Sequence, residues 1–266
     1  MKRRATILYF PHGGGPLPLL DEPRHAAMNV FLREFSHSLD RPDAIVVVSA
    51  HWEETQVSIT AAAAPPMIFD FYGFPPEAYE YSYPAPGHPE LASRVHRLFG
   101  EAGIESRLDT ERGFDHGLYV PLMLMYPAAD IPCIQISLHA GLDAAQHIRI
   151  GRALAALGDE NLLILGSGFS FHNLRELMSN SGDGVDSRNQ AFEDWLAQTL
   201  TDEGLAESER ERRLADWLEA PDARFCHPRE EHLLPLHLCY GIAGGPAVCA
   251  FREPVLGFLA SAYRWD

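Results

Sequence analysis

The sequence predicts an α/β fold in a single domain spanning residues 1–266. Short runs of branched apolar residues, such as IVVVS at Ile45–Ser49, alternate along the chain with stretches of helical spacing. The chain of 266 residues, 46% hydrophobic and 22% charged, is long enough for one substantial core. It contains no fixed-period repeat and no apolar run near the roughly 20 residues of a membrane-spanning helix.

Taken in order, Ala5–Phe10 reads as a buried strand, and Arg24–Leu39 follows with apolar residues at helical spacing. Ala44–Ser49 is the next strand. Pro89–Glu101 opens on a proline and stops before Gly103, as a helix does. Ile131–Leu138 is a third strand, and Ala144–Leu157 a helix with Asp143 as its cap and Gly158 as its terminator. Leu162–Leu165 and Ala247–Phe251 complete the strands. Two stretches break this rhythm. Pro65–Gly87 packs six prolines and seven aromatic residues into an excursion of the kind that walls apolar pockets. Asp186–Ala220 reads as an acidic pair of helices whose Trp195 and Trp217 pack inward beneath a solvated face.

Charge and cysteine usage narrow the function. With 21 basic and 37 acidic residues the net charge is −16, and no basic cluster stands out, which argues against nucleic acid and anionic membranes as partners. The four cysteines form no CxxC pair, and the N-terminus carries neither a long apolar segment nor a small-residue cleavage site. Both features point to a reduced, cytoplasmic setting.

The histidines carry the chemistry. His12 follows the first strand, His51 follows IVVVSA at once, and His172 follows LLILGSGFSF after a glycine-broken turn. In open α/β sheets, ligands bind outside the carboxyl ends of strands, where loops from distant parts of the chain converge. Each histidine alone could be a packed structural residue, and HGGGP alone could be an anion loop. Against the latter, the spacing matches neither GxxxxGK[ST] nor GxGxxG. His116 stands between Asp115 and Gly117, and His232 follows Glu230 and Glu231. Imidazole is a common ligand of zinc and iron, and a carboxylate completes the non-haem iron facial triad, so Glu231 and His232 both qualify as ligands. On a helix these neighbours would point about 100° apart, leaving one of them outside the inner sphere. The glutamates also suit the first turn of a helix after Pro228.

Together, PHGGGP, the Pro42–Trp52 stretch, YGFPPEAY with YPAPG, GFDHG, MYPAADIP, GSGFSFHNL and EEHLLPL resemble the class III extradiol ring-opening dioxygenases of the DOPA dioxygenase type, in the LigB-like superfamily. The match runs in order from Tyr9 to about Leu236. The resemblance implies a central mixed β-sheet flanked by helices on both faces, a mononuclear metal, and O2-dependent cleavage of a catechol-type ring. It implies Fe(II) as the working metal, with Zn(II) able to occupy the site in purified protein. It places His12, His51 and His232 as metal ligands and His172 beside them as ligand or acid/base. It gives His116 a substrate-binding or proton-relay role, and leaves Glu231 a rival third ligand. Asp115 is the neighbour expected to orient His116. Phe71, Tyr72, Phe74 and Tyr79 are expected to cover the substrate ring, with Tyr72 and Phe74 touching it.

Two rival readings remain beside this one: a zinc hydrolase using the same histidines to activate water, and a non-enzymatic binding protein on the same fold. The particular catechol and the oligomeric state lie beyond the sequence, and a homo-oligomer is compatible with it.

Overall fold

The computed structural model describes residues 4–179 and 186–266; Met1–Arg3, the start of the N-terminal segment read above, lie outside them. Its strands are β1 (Thr6–Pro11), β2 (Ala44–Glu54), β3 (Val57–Thr60), β4 (Ser106–Asp109), β5 (Cys133–His139), β6 (Leu162–Gly168), β7 (Val248–Val255) and β8 (Phe258–Trp265). They form one mixed sheet in the order β4-β3-β5-β2-β6-β1-β8-β7. The central strands β5, β2, β6 and β1 run parallel, while β8 lies antiparallel to β1 and to β7. Strands covered on both faces need no polar alternation, which is why these read as continuous branched runs.

The helices are α1 (Ala26–His37), α2 (Pro89–Glu101), α3 (His116–Met125), α4 (Ala144–Ala153), α5 (Leu174–Met178), α6 (Ser187–Thr201), α7 (Glu207–Ala215), α8 (Ala223–Cys226) and α9 (Leu234–Ala243). They cover both faces of the sheet, and β6 shows how. Successive strand residues point to opposite faces. A Cβ on Gly166 would lie 2.6 Å from Cys239 Sγ of α9, and one on Gly168 would lie 2.2 Å from the His232 carbonyl. Between them Ser167 turns the other way and donates to the Gly117 carbonyl of α3 at 2.6 Å. The helix α9 therefore packs on one side of β6 and α3 on the other.

Several expected elements shift at their ends. The helix expected from Arg24 begins as a 3₁₀ turn, Pro23–His25, ahead of α1. The Asp143 cap is present, accepting from the Gln146 amide at 2.6 Å, but α4 ends at Ala153 and a 3₁₀ segment, Ala155–Asp159, follows. The expected last strand runs on through Val255 and turns back into β8 across Leu256 and Gly257, both at positive φ. Residues 228–233 are bends and turns, not the start of a helix, so the helical estimate of how Glu231 and His232 diverge does not apply; α9 begins at Leu234. Trp217 is buried and Trp195 is half-buried against the core, as the acidic pair requires. Among the described residues, no helix is long and apolar enough to cross a membrane.

Candidate metal centre

Adjacent parallel strands bring the histidines to one edge of the sheet. His12 follows the last residue of β1. His51 lies within β2, where the register against β5 jumps from Val48↔Ile136 to Glu53↔Leu138, so the extra residues bulge out and re-aim a side chain. His172 follows β6 by a short loop, and its amide is tied to the Cys226 carbonyl at 2.9 Å. His232 reaches the same edge from the turn before α9, its carbonyl held by the Phe169 amide at 3.0 Å and the Tyr9 hydroxyl at 2.9 Å. The turn after His12 places Gly13 at φ +86°, a region costly for any other residue, and the His25 ring packs over it.

Five imidazoles form one cluster. His12 Nε2 and His51 Nε2 are 3.0 Å apart. The His232 ring centroid lies 5.2 Å from that of His12 and 4.9 Å from that of His51. His116 sits 3.9 Å from His51 and 5.4 Å from His12, and His172 stacks on His232 at 3.3 Å. Ligand atoms of His12, His51 and His116 lie within 4.8 Å of one another, as do those of His172, Glu231 and His232.

In His12 and His232 the nitrogen facing away from the cluster is hydrogen-bonded, and in His116 and His172 a carboxylate oxygen lies beside it. His12 Nδ1 lies 2.9 Å from Ser167 Oγ. That hydroxyl spends its single proton on the Gly117 carbonyl, so it accepts from His12 Nδ1–H and leaves the His12 Nε2 lone pair free. His116 Nδ1 lies 2.9 Å from Asp70 Oδ1. One oxygen of Glu231 serves both His172 Nδ1, at 3.1 Å, and His232 Nδ1, at 3.0 Å, while Arg229 reaches its other oxygen at 3.3 Å. Glu231 thus lies on the outer edge of the two rings, as an anchor. Fixing Nδ1 in this way sets the tautomer and the orientation of a metal-binding histidine.

Electrostatics favour neutral rings. Burial, followed by the neighbouring imidazoles, holds the protonation of His12 and His51 well below the ordinary histidine range. The same causes push His232 down to about 3, although Glu231 opposes them. A metal ligand must be deprotonated, and these shifts favour the neutral form that offers a lone pair. Burial alone would raise the Glu231 carboxyl, yet the hydrogen bonds from His172 and His232 outweigh it and keep the group ionised. The donor set fits a divalent ion: two ligand nitrogens each about 2.1 Å from one ion lie about 3 Å apart when they subtend a near-right angle.

The remaining sequence candidates separate. Phe71 stands 5.9 Å from His116, and Phe74 and Tyr79 each pack 5.4 Å from Phe71. Phe74 also fills the space beside Gly15. The aromatic excursion therefore lies against both the histidines and the glycine loop. Tyr72 does not join it; the residue is 91% exposed. Asp115 does not orient His116. It is buried under α3, accepting from Ser49 at 2.8 Å and from Gln135, and burial raises its carboxyl. The carboxylate on His116 is that of Asp70, which sequence reasoning missed.

Comparison with known proteins places the chain in one family. The family model of the catalytic LigB subunit of aromatic ring-opening dioxygenase matches residues 11–257. A 4,5-DOPA dioxygenase extradiol of Beta vulgaris is 40% identical over 89% of this chain and 86% of its own. One from Escherichia coli is 38% identical over 95% of this chain and 88% of its own. The dioxygenase tasH of Hapsidospora irregularis is 40% identical over 98% of this chain and 85% of its own. A solved structure of an uncharacterised Escherichia coli K12 protein superposes with a TM-score of 0.79 at 32% identity, covering 99% of this chain and 100% of that one.

Proposed function

The chain belongs to the LigB family of aromatic ring-opening dioxygenases, and from that premise we propose that it is an extradiol enzyme opening a DOPA-like catechol with O2 on an Fe(II) ion. His12, His51 and His232 would hold the ion, and Zn(II) would occupy the same nitrogens in purified protein. The observation that carries this reading is the pair of Nε2 atoms 3.0 Å apart among buried rings, with His12 Nδ1 tied to Ser167 and His232 Nδ1 to Glu231. Nitrogen and oxygen donors of this kind suit iron in oxygen chemistry. Family membership displaces both the zinc hydrolase and the non-enzymatic readings.

The ion, when bound, supplies Lewis acidity to the two ring hydroxyls and the electrons that make O2 reactive. The protein supplies the rest. His116 and His172 flank the ligands, each with a carboxylate oxygen beside Nδ1, and each would take or give a proton at Nε2. We assign the first proton transfer to His116, because it touches both the metal ligands and the aromatic wall, and the second role to His172. A positioned acid/base of this kind is worth roughly 100- to 10,000-fold in rate. Phe71 and Phe74 then shield the ring, without Tyr72. Nucleic acid and membrane have no part in this reading. The four cysteines, each free, accord with a reducing, cytoplasmic setting.

The test is reconstitution with Fe(II) under anaerobic conditions, followed by a panel of catechols and O2. Oxygen uptake with a yellow ring-opened product is expected. Full iron occupancy without turnover of any catechol would overturn the proposal, and the joint substitution of His12 and His51 by alanine should abolish metal retention.

A further inference from the structure

The aromatic excursion is registered against the segment carrying His116. The Phe114 amide donates to the Pro66 carbonyl and the Ile68 amide to the Phe114 carbonyl, each at 2.8 Å, making a parallel bridge between Met67 and Phe114. The two chains approach so closely that a Cβ on Gly113 would lie 2.2 Å from the Pro66 carbonyl oxygen. At the base of the excursion the Gly87 amide closes on the Ala63 carbonyl at 2.9 Å. This register carries Asp70 alongside His116, where one oxygen, Oδ1, lies 3.1 Å from the His116 amide nitrogen and 2.9 Å from its ring Nδ1. The other side of the ring faces His51 and His12.

We propose that Asp70 is the positioning residue of His116: it fixes the Nδ1–H tautomer, so that the free Nε2 faces the metal site, and it does so only while the aromatic excursion is seated. The Nδ1–H is not aimed along a hydrogen bond to Asp70, but a carboxylate oxygen 2.9 Å away repels a lone pair at Nδ1 and attracts a hydrogen there. The same loop supplies Phe71 to the wall over His116, so one segment both covers the substrate and sets the base. During turnover a substrate O–H bond breaks and an N–H bond forms at Nε2. The carboxylate of Asp70 then faces the imidazolium and stabilises it. The burial of Asp70 would raise its carboxyl, but its interactions with His116 outweigh that and hold it below the ordinary range.

The proposal rests on the dioxygenase reading, and the experiment separates the two. Long-range ¹H–¹⁵N correlation spectra of the metal-free protein report the His116 tautomer directly. Wild type is expected to show Nδ1–H alone, and Asp70→Ala a mixture or a switch to Nε2–H, with Asp70→Glu restoring the wild-type pattern. In the iron-loaded enzyme kcat should fall about 10- to 100-fold in Asp70→Ala, with KM within about twofold and metal content unchanged. Asp70→Asn, which keeps the shape and removes the charge, guards against a loss of loop structure and should fall between the two. An unchanged tautomer in Asp70→Ala would overturn the proposal, as would a changed tautomer with undiminished kcat. If wild type turns over no catechol while the tautomer responds as expected, the dioxygenase reading fails and the positioning role stands.

Discussion

Ser167 tests how the fold and the site share one hydroxyl. Within α3 the Gly117 carbonyl would accept from the amide of residue 121, but that residue is Pro121, which has no N–H. The Ser167 hydroxyl supplies the missing donor at 2.6 Å, and its lone pair takes His12 Nδ1–H at 2.9 Å. Ser167→Ala leaves both buried groups without a partner. At about 1–3 kcal/mol for each, the loss is about 2–6 kcal/mol. At about 2–4 °C per kcal/mol, the metal-free protein should melt about 4–24 °C lower. Metal affinity should drop about 10- to 100-fold, because the His12 ring is no longer held.

Adding Pro121→Ala separates these two effects, since it returns an N–H to the Gly117 carbonyl and nothing to His12. The double variant should regain part of the lost stability while its metal affinity, read by chelator competition, stays low. Wild-type affinity in Ser167→Ala, or affinity restored by Pro121→Ala, would refute this account of how His12 is aimed.

Two further substitutions probe the carboxylates. Glu231→Gln should weaken metal binding less than His232→Ala, because Glu231 lies on the Nδ1 edges of His172 and His232; equal losses by metal analysis would make it a ligand. Glu193 is fully buried against Ser261, and burial raises its carboxyl from 4.5 to about 7. A carboxyl raised by folding lends stability below its unfolded pKa and loses it as pH rises towards 7. At about 1.4 kcal/mol for each pH unit, this swing is at most about 3 kcal/mol. Denaturant titrations should therefore show Glu193→Gln gaining on wild type between about pH 4.5 and 7, and parallel pH profiles would contradict the ionisation described here.

The parallel strands and the histidines at their ends were legible because each signal is local: a branched run, then an imidazole where the run stops. The helices α3 and α9 were not, since HGLYVPLMLM and LPLHLCYGIA are apolar all round, carry prolines, and are buried on nearly every side. Amphipathic period marks a helix with one wet face, and these have none. Strand β8, FLASAYRW, is buried at nearly every position and likewise lacks alternation. The expectation that Asp115 orients His116 failed for a different reason. Adjacency in sequence put a carboxylate beside His116, but the N-terminus of α3 turns Asp115 towards Ser49 and Gln135. The pairing that delivers Asp70 spans the Met67–Phe114 bridge, and no periodicity announces a single long-range bridge.

The anchoring groups also explain why the site lies where the fold is most constrained. Ser167 belongs to β6, Asp70 to the aromatic excursion, and Glu231 to the turn before α9, so the imidazoles are aimed by segments that meet only in the complete fold. His12 Nε2 and His51 Nε2 lie 3.0 Å apart, so a neutral His51 with its hydrogen at Nε2 would donate to the His12 lone pair, and an ion bound there would shift that hydrogen to Nδ1. A charged ring is disfavoured, because burial and mutual repulsion suppress the protonated form of His12, His51 and His232. The arrangement therefore favours a divalent ion, and binding that ion to the folded chain alone returns stability to the segments that aim the rings.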